Sequence, residues 1–438
     1  MRVFSLLLIA LVVALAGCSN DAGGEMMPPV QGQSVNGVPG AMPQVGQSPS
    51  SMTSSLSLFP PSRPGVLPAN VMRSCAKLLD KDQALCYAVF RTDVGGGFEK
   101  GDHSASPSSK TINGYHPADL QSAYNLPSST AGKGQAVAIV DAYDDPDAEA
   151  DLGVYRSAFG LPDCTTANGC FQKVNQDGKQ QDYPPANGGW AQEESLDLDM
   201  VSAICPNCHI ILVEATNATF ANLGAAVDEA VKLGANVVSN SYGGSESDAS
   251  NPDYSHPGHV ITASSGDGGY GAAQPCSYST VVCTGGTTLQ KATNARGWAE
   301  TAWNSAGSGC SAEVPKPVWQ TDRGCMMRSE SDISAVADPN TGVAVYDSYT
   351  YQNASGWLVF GGTSASSPII AAVFALAGNA SSVNAAQGIW MLGGTSAFFD
   401  VTSGSNGTCP STYTYICNAG AGYDGPTGWG TPDGVMGF

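Results

Sequence analysis

From Gly114 onward, apolar positions fall in short blocks that switch between two periodicities. Ala136 to Val140 is an unbroken apolar run closed by Asp141, which predicts a strand buried on both faces. Asp147 to Phe159 repeats its apolar residues at helical spacing. The same reading gives helix over Glu193–Ile204 and Phe220–Leu233, strand over His209–Glu214, Asn236–Ser241 and His259–Ser264, and a long apolar helix over Ala365–Ala377. Strands alternating with helices predict an α/β domain with a mostly parallel central sheet. In such a sheet ligands gather at the carboxyl ends of the strands, where the Gly-rich turns after Ser241, Ser265 and Phe360 fall.

Before Gly114 the pattern is different. Met1-Arg2 precedes an apolar run from Val3 to Ala16 that is too short to span a bilayer comfortably, and its basic start and small-residue end predict an export signal. Leu15-Ala16-Gly17-Cys18 resembles a bacterial lipobox, which implies cleavage before Cys18 and a lipid on its sulfur. The expected location is the bacterial cell envelope, with the membrane reached only through the Cys18 anchor, or a form released outside the cell. Residues 18–68, rich in Gly, Pro, Ser, Met and Gln, predict a disordered tether. Residues 69–113 read as a short disulfide-containing lead-in, and residues 114–438 as the main domain. No later stretch is long and apolar enough for a transmembrane helix.

Composition narrows the function. The 438 residues carry 38 acids against 18 bases, a net charge of −20, and such a surface repels phosphate backbones and argues against a nucleic-acid partner. Few basic groups also mean few ion pairs to lose when carboxylates take up protons, which is compatible with life in acid; a merely soluble acidic protein is the alternative. Of the 13 cysteines, 12 remain to pair if Cys18 is lipidated. Their spacing suggests local partners: Cys75 with Cys86, Cys164 with Cys170, Cys205 with Cys208, Cys276 with Cys283, Cys310 with Cys325, and Cys409 with Cys417. Export and an even count agree on an oxidising compartment.

Gly361-Gly362-Thr363-Ser364-Ala365-Ser366-Ser367-Pro368 joins the apolar segment Trp357–Phe360 to a helix. Ser364 is expected at the helix start, where free backbone N–H groups favour negative charge, with Pro368 in the first turn. A bare N-cap is the plain alternative, but Gly-Thr-Ser-x-x-x-Pro is the nucleophile signature of the subtilisin clan. A nucleophilic serine needs a base, and none of His103, His116, His209, His256 and His259 is followed by the Gly-Thr of that clan's histidine motif. Glu193 and Asp197 stand four apart on one helical face, so their carboxyls can share a proton, and two like charges so close raise at least one pKa. A carboxylate base of that kind works in acid.

Glu193-x-x-Leu196-Asp197, Ser265-Gly266-Asp267-x-Gly269 and Gly362-Thr363-Ser364-x-x-x-Pro368, in that order, resemble the sedolisin, or serine-carboxyl peptidase, family. Pro117-Ala118-Asp119-Leu120 with Ala123-Tyr124 extends the resemblance to the domain start. It implies a subtilisin-like three-layer fold and an acid-active endopeptidase acting on proteins or peptides. Ser364 is then the nucleophile, Glu193 the general base and acid, Asp197 the residue that orients and tunes Glu193, and Asp267 a protonated donor to the oxyanion. Asp141, at the end of the first strand, is a candidate partner of the acidic pair, or simply a strand-end aspartate satisfying loop amides.

The resemblance also implies one structural calcium ion, held by the side chains of Asp400 and Asp424 and the backbone oxygens of Val401, Gly420 and Gly422; oxygen-only ligation favours calcium over zinc. Asn240-Ser241-Tyr242-Gly243-Gly244 resembles the clan's substrate-lining segment. Two rivals stay open. One is a non-catalytic, calcium-stiffened surface lipoprotein that binds rather than cuts, and the other a neutral protease using an unrecognised histidine. Subsite preference and oligomeric state are not legible.

Overall fold

The computed structural model describes residues 65–75, 81–94 and 112–438. The signal sequence, Cys18, His103 and nearly all of the tether lie outside the described residues. Three short strands come first: β1 (Val71–Arg73), β2 (Leu85–Cys86) and β3 (Val89–Arg91). Then follow α1 (Pro117–Ala123), β4 (Ala136–Ala142), α2 (Ala148–Ala158), β5 (Phe171–Asn175), α3 (Gly188–Ile204), β6 (His209–Ala215), α4 (Phe220–Lys232), β7 (Val237–Asn240), β8 (Tyr242–Gly243) and β9 (Val260–Ser264). A strand-rich stretch follows, with β10 (Val282–Lys291), β11 (Trp298–Ala302), β12 (Gly309–Pro315), β13 (Met327–Glu330), β14 (Ile333–Val336), β15 (Val343–Tyr351) and β16 (Ala354–Gly361). Helices α5 (Thr363–Ala377) and α6 (Ala385–Leu392) come next.

The central sheet runs β11-β10-β9-β7-β4-β6-β5, with β14 also alongside β10, and every pair in it is parallel except β10 with β11. Alternation along β4 explains the layers. Val137 and Ile139 share a core with Leu120 of α1, Leu152 of α2, Leu196 of α3 and Ile369 of α5, whereas Ala138 and Val140 pack with Leu223 and Val227 of α4. Helices therefore cover both faces, giving the expected α/β domain with its mostly parallel sheet.

Helix α3 is unusual for its composition. Every one of its residues is buried, Glu193, Glu194, Asp197 and Asp199 included. It begins earlier than the periodicity predicts because the Asn187 side chain accepts from the amides of Gly189 and Trp190, and so caps a start made of glycines. All six disulfides have the partners that spacing suggests. The lead-in strands pair with the rest of the fold: β1-β3-β16-β15 form an antiparallel sheet, and β2 pairs with β8.

Candidate active site

Gly362 caps α5 with φ 96°, a backbone conformation that side chains disfavour. A Cβ there would also fall 2.0 Å from the Tyr87 carbonyl oxygen and 2.8 Å from Asp267 Oδ2, so glycine is required twice over. Ser364 follows as the second helical residue, fully buried. Pro368 is the sixth residue of α5, in its second turn and not in the first as the sequence suggested. Lacking an N–H, it cannot bond the carbonyl four residues back, which is that of Ser364. The Ser241 hydroxyl reaches that carbonyl instead, at 3.3 Å.

Ser241 directly follows β7 and touches two members of the site. Its hydroxyl lies 2.8 and 2.7 Å from the two oxygens of Asp197, and its carbonyl accepts the Ser364 hydroxyl at 3.2 Å. Burial pushes the Asp197 carboxyl well above its usual range, with the Ser241 hydroxyl opposing. Glu193, one turn earlier, is raised well above its usual range by burial and then by Asp197, while the nearby Ser364 hydroxyl and the Ala88 amide favour its ionised form. The Ala88 N–H donates to Glu193 Oε2 at 2.7 Å, and Glu193 Oε1 has no hydrogen-bond partner. Turning the Ser364 hydroxyl from the Ser241 carbonyl toward Glu193 would satisfy that oxygen.

Asp267 completes the group. Its Oδ1 accepts from both the amide and the hydroxyl of Thr363, each at 2.9 Å, and Arg73 donates to its carbonyl at 2.8 Å. Burial pushes its carboxyl up to about 6, against the pull of Arg73 and Thr363, and Oδ2 is left without a partner. Asp141 ends β4 on the α3 side of the sheet; both its oxygens are unpartnered, and burial followed by the charges of Asp197 and Glu193 raises it strongly. Glu193, Asp197, Asp267, Ser364 and Asp141 are thus gathered into one buried cluster. None of them makes a salt bridge to a described cationic residue, so protonation is what makes this burial tolerable.

The described histidines are occupied elsewhere: His116 with the Ile112 carbonyl, His209 with Gly169, His256 with Asp228, and His259 with Ala235. Sequence reasoning missed the partners that hold the site, namely Thr363 and Arg73 on Asp267 and Ala88 on Glu193. No motif marks Arg73 or Ala88, which act at long range along the chain; Thr363 stands inside the Gly-Thr-Ser motif, which gave no sign of its contact with Asp267.

The residues expected around calcium converge as well. Gly422 N–H donates to Asp400 Oδ2 at 2.9 Å and Gly420 N–H to Asp424 Oδ2 at 3.0 Å, while Thr427 binds Asp424 Oδ1 through amide and hydroxyl at 3.0 and 2.8 Å. Burial pushes Asp424 up to about 8, with Asp400 adding to the rise. The carbonyls of Val401, Gly420 and Gly422 accept no hydrogen bond from described residues. Two carboxylates and three free carbonyls form a hard, all-oxygen donor set, which fits calcium.

No family model matches the chain. Kumamolisin of Bacillus sp. (strain MN-32) is 29% identical over 395 residues, which cover 79% of this chain and 66% of that protein. Sedolisin of Pseudomonas sp. (strain 101) is 27% identical over 367 residues, covering 74% of this chain and 60% of that protein. The solved structure of Pseudomonas sedolisin (serine-carboxyl proteinase) complexed with two molecules of pseudo-iodotyrostatin superposes with a TM-score of 0.63 at 26% identity, over 74% of this chain and 96% of that one. The chain is similar in sequence and in fold to members of the sedolisin family. It spans only 66% and 60% of the lengths of the two sequence relatives, so the likeness in fold is a finding, whereas its activity is argued below from its own residues.

Proposed function

We propose that the protein is an acid-active serine-carboxyl endopeptidase that hydrolyses peptide bonds through an acyl-enzyme on Ser364. The observation that carries this reading is the single buried cluster of Ser364, Glu193, Asp197 and Asp267, in which Ser241 touches both Asp197 and Ser364 and the described histidines bond elsewhere. Glu193 takes the proton of the Ser364 hydroxyl as the oxygen attacks the carbonyl carbon, then delivers it to the departing nitrogen; water hydrolyses the ester by the reverse proton path. Asp197 holds Glu193 in place and shares its proton. Asp267, kept neutral by burial, donates through Oδ2 to the developing oxyanion, which an ionised carboxylate would repel.

One calcium ion held by Asp400, Asp424 and the carbonyls of Val401, Gly420 and Gly422 would neutralise two acids and stiffen the C-terminal loops. It lies apart from the catalytic steps. A purely binding role is disfavoured by the buried, unpartnered oxygens of Glu193, Asp267 and Asp141, which cost stability without contributing to a docking surface. Export and attachment through Cys18 remain part of the proposal on sequence grounds alone. Casein digestion over roughly pH 3 to 7 tests the activity. Digestion in acid that vanishes in Ser364→Ala supports it, and equal absence in both proteins overturns it.

A further inference from the structure

We propose that Glu194 and Glu214, acting through Asp141, form a buried row of carboxyls that carries protons between the Glu193–Asp197 pair and a surface groove at Lys173, behind the substrate cleft. The inference rests on the endopeptidase reading above and adds to it how the base loses its proton. Glu193 and Asp197 have no exposed surface, and burial keeps protons on both in acid. Glu193 cannot act as a base until its proton has left, and a peptide lying over Ser364 covers the front of the site.

Strand register builds the row. Asp141 of β4 and Glu214 of β6 are direct partners across a parallel pair, so their side chains leave the same face of the sheet. Helix α3 packs on that face and carries Glu193, Glu194 and Asp197. The charges of Asp197, Glu193 and Glu214 all act on Asp141, and those of Glu214, Asp145 and Asp141 act on Glu194, so consecutive carboxyls stand within electrostatic reach of one another. Both oxygens of Asp141, both of Glu194, Glu193 Oε1 and Glu214 Oε2 are buried without a hydrogen-bond partner among the described residues. No described N–H or hydroxyl donates to them, so hydrogen bonds among them have to be made with protons that the carboxyls themselves carry. Unpaired oxygens in such number cost stability, and a merely packed core has no use for them.

The far end of the row reaches the surface. Glu214 Oε1 meets Lys173 Nζ at 2.7 Å and accepts the Asp145 amide at 3.2 Å, and Lys173 also meets Asp144 Oδ1 at 2.6 Å. The Lys173 and Asp144 side chains are 13% and 14% exposed, and with Glu149, Thr166 and Tyr183 they line an open groove of about 500 Å³. Lys173 is the only described cation paired with the row. It favours the ionised form of Glu214 against the effect of burial, which makes Glu214 the outlet.

In the transfer Glu193 gives its proton to Asp141, Asp141 releases its own to Glu194, Glu194 to Glu214, and Glu214 to solvent in the groove. Only O–H bonds change, the three carboxyls of the row end as they began, and Glu193 is left as the anion that takes the Ser364 proton. Glu194 and Glu214 touch no reacting atom.

The test measures kcat, KM and the solvent deuterium isotope effect on kcat for the full chain cutting one peptide in acid, alongside casein digestion. Glu194→Gln and Glu214→Gln keep size and polarity but carry no acidic proton to pass on. The expected result in each is native circular dichroism, a kcat lowered roughly tenfold or more at unchanged KM, and a larger isotope effect, with Glu194→Asp restoring part of the rate. If a buried glutamine disturbs the fold, Lys173→Met reports instead: without the cation Glu214 holds its proton more tightly, so kcat should fall and the isotope effect rise. Wild-type kcat and isotope effect in these variants, in a protein that digests casein, would overturn this inference and leave the endopeptidase reading standing. A loss of rate with the isotope effect unchanged and no rescue by Glu194→Asp would overturn it too, as the mark of a structural role. A wild-type chain that digests no casein in acid would remove both.

Discussion

The Ser241 hydroxyl lies within 2.8 Å of both Asp197 oxygens and 3.3 Å from the Ser364 carbonyl, yet it has only one proton to donate. A protonated Asp197 resolves this: it donates to the Ser241 oxygen, and the Ser241 proton serves the carbonyl that Pro368 leaves free. Asp197→Asn keeps a donor in the same place and removes a carboxyl whose ionised form raises Glu193. The folded structure should survive, judged by circular dichroism, while the acid limb of the kcat/KM profile moves to lower pH. A profile unchanged in position would show that Asp197 does not tune Glu193.

Asp267 accounts for the other limb. In the proposed mechanism its carboxyl, pushed up to about 6, must hold its proton to donate a hydrogen bond to the oxyanion, so activity should fall as pH rises through that value. Asp267→Ala is expected to lower kcat by about 100- to 1,000-fold. Asp267→Asn, a neutral donor of the same shape, should retain more activity and carry it to higher pH.

Asp347 makes a prediction about stability. One oxygen accepts the Tyr349 amide at 2.9 Å and the other has no partner; burial, then Asp145 and Asp151, push its carboxyl up to about 9. In the folded chain it keeps its proton, whereas unfolded it ionises above about pH 4. The folded state therefore binds more protons, its stability is greatest below that pH, and it declines as pH rises toward 9. Thermal melts at saturating calcium should give a higher Tm near pH 4 than near pH 7, and Asp347→Asn should narrow the gap by stabilising the protein at the higher pH.

Calcium gives a fourth. Chelation should lower Tm at neutral pH by removing the proposed ion that Asp400 and Asp424 would hold, and Asp424→Asn should abolish that response. Calcium titration calorimetry distinguishes loss of binding from general destabilisation.

Much of this was legible in the residues. The parallel strands were, because Ala136–Val140 and its successors are buried on both faces and so read as apolar blocks; the four candidate site residues stood out because each lies in a compact motif, and the fold brings them into one buried cluster. The strands from Val282 to Tyr351 were not. Val282–Lys291 holds Gly285 and Gly286 at its centre, where close packing against the Pro426 backbone and Ala337 replaces an apolar signature. The course of residues 85–90 was equally hidden, since their role depends on backbone pairing to β8 and β16 and any ordinary side chains would pair in the same way.

The central claim, that a carboxyl serves as the base for Ser364, is tested most directly by kcat/KM of Glu193→Gln against wild type on one peptide across roughly pH 3 to 7. A fall of about 100- to 10,000-fold throughout, in a protein with native circular dichroism, is the predicted result. Wild-type rates in that variant, with activity lost instead on replacing His209, His256 or His259, would contradict it.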